Sequence, residues 1–341
     1  MKTISMEEKM KKRIYLKLIA FILIMTLTAC GVAPSTQKEN TSETKTSQNS
    51  GKDAGEYPMT FHNYGREVVI KEKPKKVLTL GPNCTELFVA LGLTDYIVGN
   101  SLKNHSRGPL PEYAKEFDKI PELNYGSATR EAVISSGADF IYGLDWEFGG
   151  DSLDPLELET YGMTTYMNKA TSMEEIYQEI LDIGKIFGIT DKAKAYVEDQ
   201  KSRISTVQEK IAEKEPLKVL IYDSGNDGVF TCSGENFESL LIQMAGGENI
   251  FHDINEKDWI TVSYEEVLAR EPDIIVIHDY DKPSLEEKIA EIKNNDILAK
   301  LDCVKKERFA TITLESVLPG NRMAYTVEKL SQEFYPDLFQ E

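Results

Sequence analysis

The sequence predicts an α/β fold of two lobes with mainly parallel sheets, joined by one long rigid helix. Three observations lead there. Short apolar runs alternate with amphipathic stretches, the pattern of parallel strands covered by helices. A wholly helical middle, from Ser172 to Lys214, separates two such regions. One unit also recurs: Arg130–Tyr142, REAVISSGADFIY, returns 134 positions later within Trp259–Ile277, WITVSYEEVLAREPDIIVI. Glu131 aligns with Glu265, Val133 with Val267, Asp139 with Asp273, and Phe140-Ile141-Tyr142 with Ile274-Ile275-Val276. Each copy reads as a short helix opened by a carboxylate, a tight turn at Ala-Asp or Pro-Asp, and a buried strand. A carboxylate in a first helical turn suits the helix dipole. Two in equivalent places also set one carboxylate on the rim of each lobe.

At 341 residues the chain has room for two domains with sizeable cores. Lys11, Lys12, Arg13 and Lys17 precede an apolar run at Leu18–Met25 that is too short to span a bilayer. With Leu27-Thr28-Ala29-Cys30 after it, this is the layout of an export signal whose end resembles the bacterial lipobox. Residues 1–29 are therefore expected to be removed and Cys30 diacylated, two acyl chains anchoring more firmly than one. From Gly31 to Tyr57 the composition is polar, without apolar clusters, and reads as a flexible tether. The expected address is the outer face of the cell membrane.

The formal net charge is −18, and the leader carries six Lys/Arg against two Asp/Glu, so the remainder is more acidic still. That argues against nucleic acid or anionic lipid as a partner. Cys84, Cys232 and Cys303 are odd in number and lack C-x-x-C spacing, which fits buried thiols. The four histidines form no paired metal motif. G-x-S-x-G, a Walker loop, G-x-G-x-x-G after a strand and H-E-x-x-H are all missing. The expectation is a protein that is not an enzyme and carries no cofactor.

In chain order, Met59–Phe61 and Val68–Ile70 make a hairpin around Gly65. Val77–Leu80 is a buried strand, followed by the turn Gly81-Pro82-Asn83 and a helix Thr85–Leu91 stopped by Gly92. Tyr96–Gly99 is a second strand, the repeated unit delivers Phe140–Gly143, and Thr164–Met167 is a fourth. These elements define an N-terminal lobe over residues 58–187. Residues 188–215 form the connecting helix, of about 23 residues and about 35 Å, ended by Pro216. The C-terminal lobe, 216–341, repeats the plan: a strand at Lys218–Tyr222, a turn at 225–228, and Val229-Phe230-Thr231 leading into a helix Asn236–Ala245. The second repeated unit follows, then a helix Ser284–Asn294, a strand Phe309–Ile312 and a terminal helix Asn321–Phe334.

Two lobes on one helix leave a cleft, where small ligands bind. Tyr125 precedes the first repeated unit, Trp146 follows its strand and Trp259 precedes the second unit. Each is read in a connection, a place for ligand-contacting aromatics. Arg107 and Arg322 sit in Gly/Pro-containing loops and suit an oxygen-rich anion. His105 and His278 are candidate iron ligands only if the ligand is haem.

Together these residues resemble the iron-siderophore/cobalamin class of solute-binding proteins that feed bacterial ABC importers. The resemblance runs from Pro58 to the chain end. It rests on Lys76–Leu87 (KVLTLGPNCTEL), Glu131–Asp139, Ala245–Phe251 (AGGENIF), Trp259–Ile277 and Leu318–Arg322 (LPGNR). It implies two Rossmann-like lobes, modest closure on binding, a monomer, and docking of one rim Glu per lobe on arginines of the permease. Those are Glu131 and Glu265, serving the permease and its ATPase. The implied ligand site takes in Asn83, Arg107, Tyr125, Trp146, Trp259 and Arg322. Tyr125 falls where relatives carry Arg or Trp. The expected cargo is a ferric siderophore, with cobalamin or haem as alternatives. A chelatase-like enzyme shares the architecture, but the lipobox opposes a cytoplasmic enzyme.

Overall fold

The computed structural model describes residues 56–149 and 152–339; the leader, Cys30 and nearly all of the tether lie outside the described residues. The chain opens on a hairpin of β1 (Met59–Asn63) and β2 (Arg66–Ile70), turned at Tyr64-Gly65, both with positive φ. Next come β3 (Val77–Leu80), β4 (Ile97–Ser101), β5 (Phe140–Leu144) and β6 (Thr164–Asn168), an all-parallel sheet in the order β4-β3-β5-β6. The second half supplies β7 (Leu217–Tyr222), β8 (Ser224–Gly225), β9 (Val229–Cys232), β10 (Gly247–Asn249), β11 (Trp259–Val262), β12 (Ile274–Asp279) and β13 (Phe309–Thr313). Its parallel sheet runs β10-β7-β12-β13. By order of appearance, both sheets run second-first-third-fourth. The α/β architecture of two parallel sheets with helices on their faces is the one anticipated.

The repeated Asp has a defined job in both copies. Asp139, ahead of β5, accepts the backbone N–H groups of Lys75 and Lys76 at the entrance to β3. Asp273, ahead of β12, accepts the Lys218 N–H in β7 at 2.8 Å. Each carboxylate pins the start of one central strand to the next, so the spacing of the unit is a register device. The helix before each Asp is capped by a hydroxyl: Thr129 accepts from Ala132 N–H, and Ser263 from Glu266 N–H.

Several elements differ from expectation for local reasons. The first helix spans Pro82–Ala90, since a proline in a first helical turn is preset for it and Gly81, at φ 132°, makes the turn before it. Residues Val229–Cys232 do not run straight into a helix. They form β9, the centre of a small antiparallel sheet β11-β9-β8. Trp259 therefore sits in a strand, not a connection, paired with Cys232. All three cysteines here are free and buried.

The helix Thr190–Ile211 has 22 residues, about 33 Å. Its buried stripe of Ala193, Val197, Gln200, Ile204, Val207 and Ile211 lies at three- and four-residue spacing. It is fastened to the helix Met323–Phe334: Gln200 Oε1 accepts the Ala324 N–H at 3.0 Å, and Arg203 makes a two-pronged pair with Glu328. It enters from helix Met173–Ile186 through Gly188, at φ 66°, and Gly184 leaves room for the return, since a Cβ there would collide with the Ala193 Cβ. Gly184→Ala is therefore expected to cost about 1–3 kcal/mol, read as a lowered midpoint in urea unfolding at unchanged slope.

Candidate functional site

Residues just past the C-terminal ends of strands in one lobe meet their counterparts in the other, the place where open parallel sheets bind ligands. A cavity of about 240 Å³ lies between the lobes. Asp145, Trp146 and Lys169 line it from one side, and Asp258, Trp259 and Pro319 from the other. Trp146 and Trp259 are the only tryptophans in the chain. Trp146 is half-exposed. Trp259 is backed by Phe230, stacked at 5.4 Å and 21° across the β9–β11 pair.

The 134-residue offset of the repeat extends into the cleft. It relates Tyr125 to Trp259, Asp145 to Asp279 and Trp146 to Tyr280. Each lobe thus contributes two aromatics and an aspartate from equivalent positions. At the end away from the tryptophans the lobes touch. Arg107 Nε donates to Asp279 Oδ1 at 2.7 Å, Tyr125 OH donates to Asp281 Oδ2 at 2.6 Å, and His105 stacks on Tyr280 at 6.3 Å. Burial lowers the His105 pKa against the pull of Asp223 and Glu147, so its ring is neutral at neutral pH.

Three expected ligand contacts are placed elsewhere. Arg322 is buried and fully engaged: Nε donates to Glu86 Oε1 at 2.9 Å, Nη2 to Glu86 and to the Gly108 carbonyl, and Nη1 to the Ser316 hydroxyl at 3.0 Å. No donor remains for a ligand anion. The guanidinium instead ties the stretch after β13 to the first helix of the N-terminal lobe. Asn83 does the same beside it, donating to the Pro319 carbonyl at 2.8 Å and to Asn168 Oδ1 at 3.0 Å while buried. His278 is not a free axial ligand. It is fully buried, Nδ1 donating to Asp223 Oδ1 at 3.0 Å and Nε2 to Glu238 Oε1 at 2.9 Å. Burial alone would depress its pKa, but the Glu238 and Asp223 carboxylates override this and push it up to about 9. The imidazolium lies edge-on to Trp259, ring centres 6.0 Å apart.

Glu131 and Glu265 occupy the first turns of their helices, both exposed. Among the described residues there is no cluster of His, Cys, Asp and Glu able to hold a bare metal ion. The cavity walls combine two indoles with the polar side chains of Asp145, Lys169 and Asp258. Phe230, Asp279, Tyr280 and Asp281 escaped the sequence reading. Phe230 is hidden because β9 is only four residues long and precedes a helix closely in sequence. The others lie at or just past the C-terminal end of β12, and the 134-residue offset carried a few positions further finds the first two.

Two α/β lobes with a cleft at their strand ends are the architecture of solute-binding proteins. The periplasmic binding protein family matches over residues 77–315, and the chain belongs to that family. It is 28% identical over 338 residues to an uncharacterized ABC transporter substrate-binding lipoprotein of Bacillus subtilis, covering 97% of this chain and 100% of that one. It is 30% identical over 205 residues to a vitamin B12-binding protein of Photorhabdus laumondii, covering 60% of this chain and 70% of that one. The fold matches that of a periplasmic binding protein from Veillonella parvula with a TM-score of 0.74 at 24% identity, over 82% of this chain and 97% of the other. These relatives and neighbours are binding proteins, not enzymes.

Glu86→Ala is expected to destabilise the protein by about 3–5 kcal/mol, because it strands the buried Arg322 charge; chemical denaturation reads the loss. His278 gives a pH signature. With its folded pKa at about 9 and its ordinary value at 6.5, its contribution is complete below pH 6.5 and is lost as pH rises through 9. His278→Gln should flatten the loss of stability between those values, measured by urea unfolding across pH.

Proposed function

We propose that this chain is the lipid-anchored receptor of an ABC importer, tethered through Cys30 on the outer face of the membrane. In this reading it captures a ferric siderophore in the cleft and delivers it to the permease as a monomer. The observation that carries the reading is the pair of tryptophans facing one interlobe cavity from opposite lobes. Flat π-faces at both walls suit the organic shell of a metal chelate better than a bare ion. Arg107 and Tyr125 stand at the far end and would exchange their carboxylate partners for ligand edges as the chelate enters.

A second reading, cobalamin, is favoured by the vitamin B12-binding relative and by the same aromatic walls. Haem is less well served: His278 has both nitrogens committed, leaving His105 as the histidine at the cleft.

Docking is assigned to Glu131 and Glu265. Each is an exposed carboxylate at an equivalent point of its lobe, and two Arg–Glu pairs at fixed separation would set orientation and on-rate more than affinity. Charge reversal at both is expected to abolish uptake by cells while ligand affinity measured on the purified protein stays unchanged. Retained uptake would remove the docking role.

Because both tryptophans face the cavity, intrinsic fluorescence reports on it directly. Titration with a ferric siderophore is expected to quench in a saturable way, and Trp259→Ala to weaken binding by about tenfold to a hundredfold. Saturation by cyanocobalamin alone would replace the iron reading with the second one.

A further inference from the structure

The cleft has an uneven charge balance. Its basic side chains are each neutralised by a protein carboxylate: Arg107 by Asp279 at 2.7 Å, Lys169 by Asp145 at 3.4 Å, and Lys103 by Glu122 at 3.3 Å. Several carboxylates are left without a basic partner. Asp281 accepts only the Tyr125 hydroxyl among the described residues, and with Glu286 it adds to the field of Asp279 on Arg107, so one guanidinium answers three carboxylates. At the tryptophan end, Asp258 and Glu235 line the cavity, both exposed and outside any ion pair among the described residues. Lys257 and Lys282 neighbour these acids in sequence but line neither the cavity nor the groove beside Tyr125. Beneath the site the charges offset one another. His278 stands between Asp223 and Glu238, and buried Lys288 donates to the His278 carbonyl at 2.8 Å with its Nζ 3.5 Å from the centre of the Tyr280 ring, so two cations there face two carboxylates.

The aromatic faces act in the same direction independently. Trp146 and Trp259 line the cavity, and aromatic quadrupoles attract cations to the ring faces and repel anions.

We propose that the cleft selects its chelate by net charge, admitting neutral and cationic complexes, such as ferric trihydroxamates, and rejecting anionic ones such as ferric tricatecholates. The inference rests on the reading above that a metal chelate occupies this cleft. Three hydroxamates balance the charge of Fe³⁺ and a pendant amine makes the complex cationic, whereas three catecholates leave it trianionic. A trianion entering here would meet carboxylates that no protein cation compensates, in a partly desolvated cleft where charge pairs interact more strongly than in water.

The test titrates the protein with a neutral ferric trihydroxamate, one bearing a free amine, a ferric tricatecholate and cyanocobalamin, each at low and high salt. The expected result is binding of both trihydroxamates at least about tenfold tighter than of the tricatecholate. Salt should weaken the cationic complex and leave the neutral one unmoved. The double variant Asp279→Asn, Asp281→Asn frees Arg107 and removes two charges. It should narrow the gap by about tenfold, raising tricatecholate affinity and lowering that of the cationic complex. Tricatecholate binding as tight as that of the trihydroxamates, or indifference to the double variant, would overturn charge selection while leaving the transport reading intact. Binding of cyanocobalamin alone overturns the iron cargo and the inference with it. If none of the four binds, the reading of the cleft falls as well.

Discussion

The contact on which the rest depends is the buried pair of Arg322 and Glu86. It joins the loop after the last strand of one lobe to the first helix of the other, in a place where water screens little. Glu315 adds a second carboxylate 3.3 Å from Arg322, its pKa raised by burial against the lowering effect of Arg322. Its Oε1 also accepts the Ser106 hydroxyl and the Arg107 N–H, each at 3.0 Å. The loop carrying His105, Arg107 and Gly108 is thereby held to the opposite lobe at its base. Charges so placed are expensive to bury and more expensive to separate. They favour one relative placement of the two lobes over a continuum, which fixes the cleft between them.

The second organising feature is the internal repeat. The aspartates that set strand register, the rim glutamates, the cleft aromatics and the cleft aspartates all recur at one spacing. A pseudo-symmetric pair of lobes produces a cleft with matching chemistry on both walls and one exposed glutamate in the first turn of an equivalent helix in each lobe. A single structural unit used twice thus supplies both the proposed cradle and the proposed docking pair.

Legibility followed locality. The strand–helix alternation, the repeat, the long helix with its Gly188 entrance and the buried cysteines are written in neighbouring residues, and each could be read from spacing and composition. Arg322 could not. A loop arginine beside Pro-Gly looks the same whether it meets solvent or a glutamate 236 positions away. The partners of Asn83 and His278 are hidden for the same reason, since they come from distant segments and burial is decided by packing. Trp259 was recognised by type but placed in the wrong element, because β9 and β11 each carry only four residues and pair across a long connection. The ligand-facing surface was half visible: its tryptophans stand out in any sequence, while the acids that give it its charge do not.

The central claim is that a metal chelate sits between Trp146 and Trp259, held by two lobes locked through Arg322. Anomalous X-ray scattering from the metal in crystals of the loaded protein tests it most directly. The account predicts one strong metal peak in the interlobe cavity, flanked by the two indoles. A peak elsewhere, such as the groove at Met173, Gln243 and Met244, with the indole walls untouched, would contradict it.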